Sequence, residues 1–274
     1  MAPEAFFLPV AHRHHGQHSQ RFCLYHAPPG GPPKGVLLYL HPFAEEMNKS
    51  RRMAALQARM LAAQGYAVLQ IDLHGCGDSS GDFGDATWQS WLQDVEDAHA
   101  WLRCRSNAPF WLWGLRVGCL LAADAAQRID APVNCLFWQP VISGKQFLQQ
   151  FLRLKVAGEM ISGDSKGLMA ALKKQLAENQ SVEIAGYTLS PGLAQGLEAA
   201  DLAPPARAGR LIWREVSPRP AATLAPVARQ RIEQWQSAGH AVNSAVLPAP
   251  TFWQTVEIEE APALLDATLT ALGS

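Results

Sequence analysis

Apolar residues fall along the chain in two alternating rhythms. Short, near-continuous runs of strand length recur at GVLLYLH (residues 35 to 41), YAVLQID (66 to 72), PFWLWG (109 to 114), VNCLFWQP (133 to 140), GRLIWREV (209 to 216) and NSAVLP (243 to 248). Such runs are the pattern of strands covered on both faces. Between them the spacing is helical. Met53, Leu56, Met60 and Leu61 share one side of a helix closed by Gly65, and Trp88, Trp91, Leu92, Val95, Ala98 and Leu102 share one side of the next. The segment GLRVGCLLAADAAQR then runs straight on from the third strand as another helix. The turn cluster Gly30-Gly31-Pro32-Pro33 sets an N-terminal hairpin region apart. This order predicts a mainly parallel sheet with helices on both faces. Residues 143 to 208 differ, with helical patterns over Phe147 to Val156 and Lys166 to Glu178 and a short strand pair near Val182 to Leu189. The expectation is one domain, a core of residues 1–142 and 209–274 with residues 143–208 inserted as a lid.

Composition narrows the class. Hydrophobic residues are 48% of the 274 and charged residues only 17%, against about 25% in an average domain, which argues for a large core. The 23 basic and 24 acidic residues nearly cancel, so neither disorder nor nucleic-acid binding is expected. Cys23, Cys76, Cys104, Cys119 and Cys135 are odd in number and scattered. They form neither a disulfide framework nor a zinc knuckle, and a reducing cytoplasm fits them best. The start of the chain lacks the features of an export signal. The longest apolar stretch, Phe110 to Ala123, is broken by Arg116 and is too short for a membrane span. No cofactor or metal is expected. The tract from His12 to His18 has the composition of a metal site but no accompanying cysteine or carboxylate, and reads as a solvated polar loop.

In an open α/β sheet the ligand binds beyond the carboxyl ends of the strands. Three turns there carry motifs: His41-Pro42-Phe43, DLHGCGDSSG (residues 72 to 81) and Gly114-Leu115-Arg116-Val117-Gly118. The last has the frame of a nucleophile elbow, G-x-S-x-G, with arginine at its centre. On these motifs and the element order the chain resembles the α/β-hydrolases. More narrowly, HPFAEEMNKSRRMAALQARMLAAQGYAVLQIDLHGCGDSSGDF, WQPVISGKQFLQQFLRLK and FWQTVEIEEAP resemble the second type of exosortase A system-associated hydrolase. That resemblance implies a cytoplasmic protein associated with bacterial exopolysaccharide and protein-sorting machinery.

The residues themselves speak against an ordinary hydrolase. The fold's triad needs a nucleophile at the elbow and a histidine after the last strand. A guanidinium cannot attack a carbonyl, the stretch from Ala249 to Gln254 contains no histidine, and His240 precedes the last strand. Glu215 stands where the acid belongs, or is a plain salt-bridging residue. The amides of Val117 and Phe43 are the candidate oxyanion donors. Arg116 either clamps the charged end of a small anionic or acylated ligand, or pairs with Glu45, Glu46 or Glu215 and closes a dead site. His41 either forms an acid–base or orienting pair with Glu45 or shapes the oxyanion turn. His74, Asp72, Asp78 and Ser79 read as structural. Cys119 is expected in packing, and Ser143 lacks an elbow and a base. Trp138, Gln139, Trp253 and Gln254 are candidates for a pocket wall. The remaining alternatives are an enzyme using His41, a glutamate and water beside Arg116, and a non-catalytic partner of a companion α/β-hydrolase or of a second copy, met through residues 143 to 208.

Overall fold

A computed structural model describes residues 2–14, 17–160 and 167–273. The sheet elements are β1 (Glu4–His14), β2 (Gln17–His26), β3 (Val36–Leu40), β4 (Ala67–Ile71), β5 (Phe110–Leu115), β6 (Asn134–Trp138), β7 (Val182–Ile184), β8 (Tyr187–Leu189), β9 (Arg210–Ser217) and β10 (Ala241–Pro248). The α-helices are α1 (Glu45–Ala63), α2 (Trp88–Arg103), α3 (Val117–Arg128), α4 (Gly144–Met160), α5 (Leu168–Ala177), α6 (Pro191–Ala199), α7 (Pro226–Ser237) and α8 (Pro262–Gly273). Eight strands form one sheet in the order β1-β2-β4-β3-β5-β6-β9-β10, and β7 pairs with β8 alone. From β4 through β10 the neighbours in the large sheet run parallel, whereas β1–β2 and β2–β4 are antiparallel.

Local physics accounts for the elements. Every residue of β3 and β5 is buried, because each face of the sheet carries its own core. Leu38 and Leu40 join Trp91, Leu92 and Leu120 on one face, while Leu37 and Tyr39 join Met53, Leu61 and Leu264 on the other. Thus α2, α3 and α7 cover one side, and α1 and α8 the other. Thr87 opens α2 by accepting from Ser90 N, a capping box that satisfies an otherwise orphaned amide. Gly65, at φ +94°, lets the chain leave α1 and turn into β4. The segment between β6 and β9 carries α4, α5, β7, β8 and α6. Ser190 caps α6, and Pro191 occupies its first turn.

The N-terminal tract differs from its sequence reading: strand pairing continues to His14 opposite Gln17, so the surrounding stretch is hairpin rather than polar loop. Inter-strand hydrogen bonding outweighs its polar composition. His15 and Gly16 of that tract, and Lys166 of the second helical pattern, lie outside the described residues. No helix among the described residues is long and apolar enough to cross a membrane.

Candidate functional site at the elbow

Three non-glycine residues with left-handed backbone, Ala44 (φ +51°), Arg116 (φ +56°) and Gln139 (φ +43°), stand just beyond the carboxyl ends of β3, β5 and β6. Each such conformation costs about 1–3 kcal/mol, so strain is stored at this edge of the sheet, as it also is at Asn179, Ala185 and Ala221 elsewhere in the chain. Arg116 turns the chain from β5 directly into α3. Its N–H donates to Trp138 O at 3.0 Å, and its carbonyl accepts from Cys119 N at 3.1 Å. The flanking glycines are required by contact: a methyl on Gly114 would collide with the backbone at Cys119, and one on Gly118 with the carbonyl of Leu40. The elbow is therefore built in full, with a guanidinium at its apex.

That guanidinium meets Glu46, the second residue of α1. Nε donates to Oε1 at 3.2 Å and Oε2 at 3.4 Å, and Nη2 to Oε1 at 3.2 Å. Both side chains are 16% exposed. Burial pushes the Glu46 carboxyl above its ordinary range, against the opposing pull of Arg116. Arg116 also lies 5.9 Å from the Phe147 ring centroid and 5.5 Å from that of Trp253. Its Nη1 has no hydrogen-bond partner among the described residues.

Above the pair opens a cavity of about 190 Å³, with Arg116, Glu45 and Glu46 on one side and Phe147, Phe151 and Tyr187 on another. Phe43, Leu154 and Gln254 also line it. Tyr187 Oη donates to Glu45 Oε2 at 3.0 Å. Burial first, and the Glu45 carboxylate second, push the Tyr187 phenol up to about 12. The amides of Phe43 and Val117 donate to no acceptor among the described residues. Val117 begins α3, where an amide has no partner within the helix. Aromatic and aliphatic walls, one ion pair and a lining residue, Phe43, with a free amide suit an apolar chain ending in a carbonyl.

Other expected residues do not join this cavity. His41 is buried, with Nδ1 2.8 Å from Pro42 O and Nε2 accepting from Leu73 N at 3.2 Å. Burial holds its pKa below the usual histidine range. Both ring nitrogens are engaged by the backbone, so the expected pair with Glu45 is not formed. Glu45 instead bonds Tyr187 and Asn48. Glu215 accepts from Trp213 Nε1 at 2.8 Å and does not reach Arg116; burial raises its pKa. Trp138 points into the α8 face and donates to Thr268 Oγ1 at 3.0 Å. Gln139 accepts from Val216 N at 2.8 Å, tying β6 to β9 instead of forming a pocket wall. Trp253 is buried behind Arg116. Ser143 accepts from Gln146 N at the start of α4. Cys119 is buried, with Sγ 3.6 Å from Trp138 O.

Tyr187 lies in no motif, and Phe147 and Phe151 lie in the segment WQPVISGKQFLQQFLRLK without being marked as site residues by it. Within that segment the two share an i, i+4 spacing, which also describes an ordinary helix face.

A strained strand–turn–helix elbow at the carboxyl edge of a mainly parallel eight-stranded sheet defines the class as an α/β-hydrolase fold. Within that class, the family model described as serine aminopeptidase, S33 matches residues 31–180, more than half of the chain, and the chain belongs to that family. Protein ABHD12B of Homo sapiens is 28% identical over 143 residues, 51% of this chain and 38% of the human protein. The match thus spans well under two thirds of that relative's length. Est1E from Butyrivibrio proteoclasticus, with ferulic acid bound, superposes with a TM-score of 0.70 at 15% identity, covering 98% of both chains. The proline iminopeptidase-related protein TTHA1809 from Thermus thermophilus gives 0.60 at 18% identity, covering 100% of this chain and 98% of that one. At such identities the structural likeness shows the fold alone.

Proposed function

We propose that this chain is a non-hydrolysing member of its family that holds a small acylated ligand in the cavity above the elbow. The observation that carries this reading is Arg116 itself: the elbow is strained and complete, yet its apex is a guanidinium paired with Glu46 beside an open cavity. The acyl chain lies against Phe43, Phe147 and Phe151, and its carbonyl oxygen takes the free amides of Phe43 and Val117, an arrangement that binds the carbonyl without attacking it. Residues 143–208 serve as the cap, since α4 and β8 supply most of the aromatic wall, and their outer surface is where a companion α/β-hydrolase or a second copy docks. The motifs shared with the second type of exosortase A system-associated hydrolase support a cytoplasmic role in exopolysaccharide or protein-sorting metabolism.

The test has two arms. A serine-directed fluorophosphonate leaves the protein unlabelled, and p-nitrophenyl butyrate is not turned over by the wild type or by Arg116→Ser, which has no histidine to activate its hydroxyl. In the second arm, N-methylhexanamide raises the melting temperature of the wild type but not of a Phe147→Trp variant whose cavity is filled. Ester turnover lost in Glu45→Gln or His41→Ala would instead establish an enzyme with an unorthodox site.

A further inference from the structure

The charges lining the cavity decide what kind of acyl compound enters it. Among the described residues, Arg116 is the cation on its wall, Glu45 and Glu46 are the carboxylates, and Tyr187 is the further titratable group, neutral at physiological pH. Glu46 occupies Nε and Nη2 of the guanidinium, and Glu45, held by Tyr187, adds a second negative charge. Arg116 is also the one charged side chain that shifts Glu46. An arriving carboxylate, sulfonate or phosphate would compete with Glu46 for the same donors in a cavity already negative by one charge. A neutral ester, thioester or amide meets no such competition, because its carbonyl needs only the free amides and the remaining Nη1.

Resting on the acyl-ligand reading above, we propose that Glu46 is the specificity gate of this site: ionised, it restricts the cavity to neutral acyl compounds, and protonated, it releases Arg116 to accept an anionic head. Burial raises the pKa of Glu46, the direction the gate requires. Anion binding then takes up a proton, so affinity for an anion rises as pH falls, whereas affinity for a neutral acyl compound does not change.

Two six-carbon probes separate the possibilities, N-methylhexanamide as the neutral acyl compound and hexane-1-sulfonate as an anion that does not itself titrate. Calorimetric titration at about pH 5.5 and about pH 8 reads the linkage directly. The wild type binds the amide equally at both values, and binds the sulfonate about tenfold more tightly at the lower one, with proton uptake visible in buffers of different ionisation enthalpy. Glu46→Gln binds the sulfonate at the higher pH as the wild type does at the lower. Glu45→Gln retains the pH dependence. Circular dichroism melting confirms that both variants are folded, and Glu46→Ala serves if the glutamine variant is not. Amide binding with a sulfonate affinity indifferent to pH and to Glu46 overturns the gate and leaves the acyl-ligand reading intact. Failure of the wild type to bind the amide at either pH overturns both.

Discussion

Among the arginine–carboxylate pairs that join distant parts of this chain, Arg21–Asp94 and Arg116–Glu46 are built in opposite ways. Arg21 of β2 donates to Asp94 of α2 at 2.6 Å, with the side chains 2% and 1% exposed. Asp94 also accepts from His74 N at 2.7 Å, and Arg21 donates to Ser19 Oγ at 2.7 Å. Around them the turn of residues 72 to 81 is tied down throughout. Asp72 accepts from Arg51 and from Asp78 N, Ser79 accepts from Phe22 N, and Ser80 accepts from Gln20 N. Trp91 Nε1 donates to His74 O at 3.0 Å. Arg116 and Glu46 are less buried, longer in their contacts, bordered by a cavity, and leave Nη1 and two nearby amides unused. The first pair is a closed polar network that ties the N-terminal hairpin to α2. The second is an open one, and unpaired donors beside a cavity are what a ligand requires.

The sharpest way to break this contrast is to delete one member of each pair. Asp94→Ala strands a buried guanidinium and is expected to lose about 3–5 kcal/mol in urea unfolding, whereas Arg116→Ala, whose partner borders the cavity, loses about 1 kcal/mol. Equal losses would show that both pairs are structural. Next in size is Gly118→Ala, which drives a methyl into the Leu40 carbonyl and is expected to lose about 1–3 kcal/mol, measured the same way. The strain at the elbow is isolated by a smaller effect. Arg116→Gly removes the same ion pair as Arg116→Ala but accommodates the positive φ, so it should be more stable than the alanine variant by about 1 kcal/mol. If the two melt together, the elbow backbone is not strained. Least affected is Glu215→Gln, which keeps an acceptor for Trp213 and should change stability by under about 0.5 kcal/mol, with no change in amide binding.

Much of the fold could be read from the chain because the signals are local. Runs such as VLLYL and FWLWGL are apolar over their whole length because both faces are covered, and the glycines at 114 and 118 are needed by close backbone approach. The site was legible in part. Arg116 and Phe43 do line the cavity, but His41 and Gln139 are turned to the backbone and Trp138 to the opposite core. A strand end gives the neighbourhood of a residue without giving its hydrogen-bond partner.

The sequence by itself determined the alternating architecture, the elbow frame, and the absence of both serine and histidine from the positions where this fold performs hydrolysis, since each depends on residue type at a fixed place in a local pattern. Only the tertiary structure decided that Glu46 is the carboxylate meeting Arg116, that Asp94 meets Arg21, and that Phe147, Phe151 and Tyr187 complete the cavity. The partners in those two ion pairs are 70 and 73 residues apart. Which charges meet across such separations depends on how helices and strands pack, and no spacing along the chain encodes it.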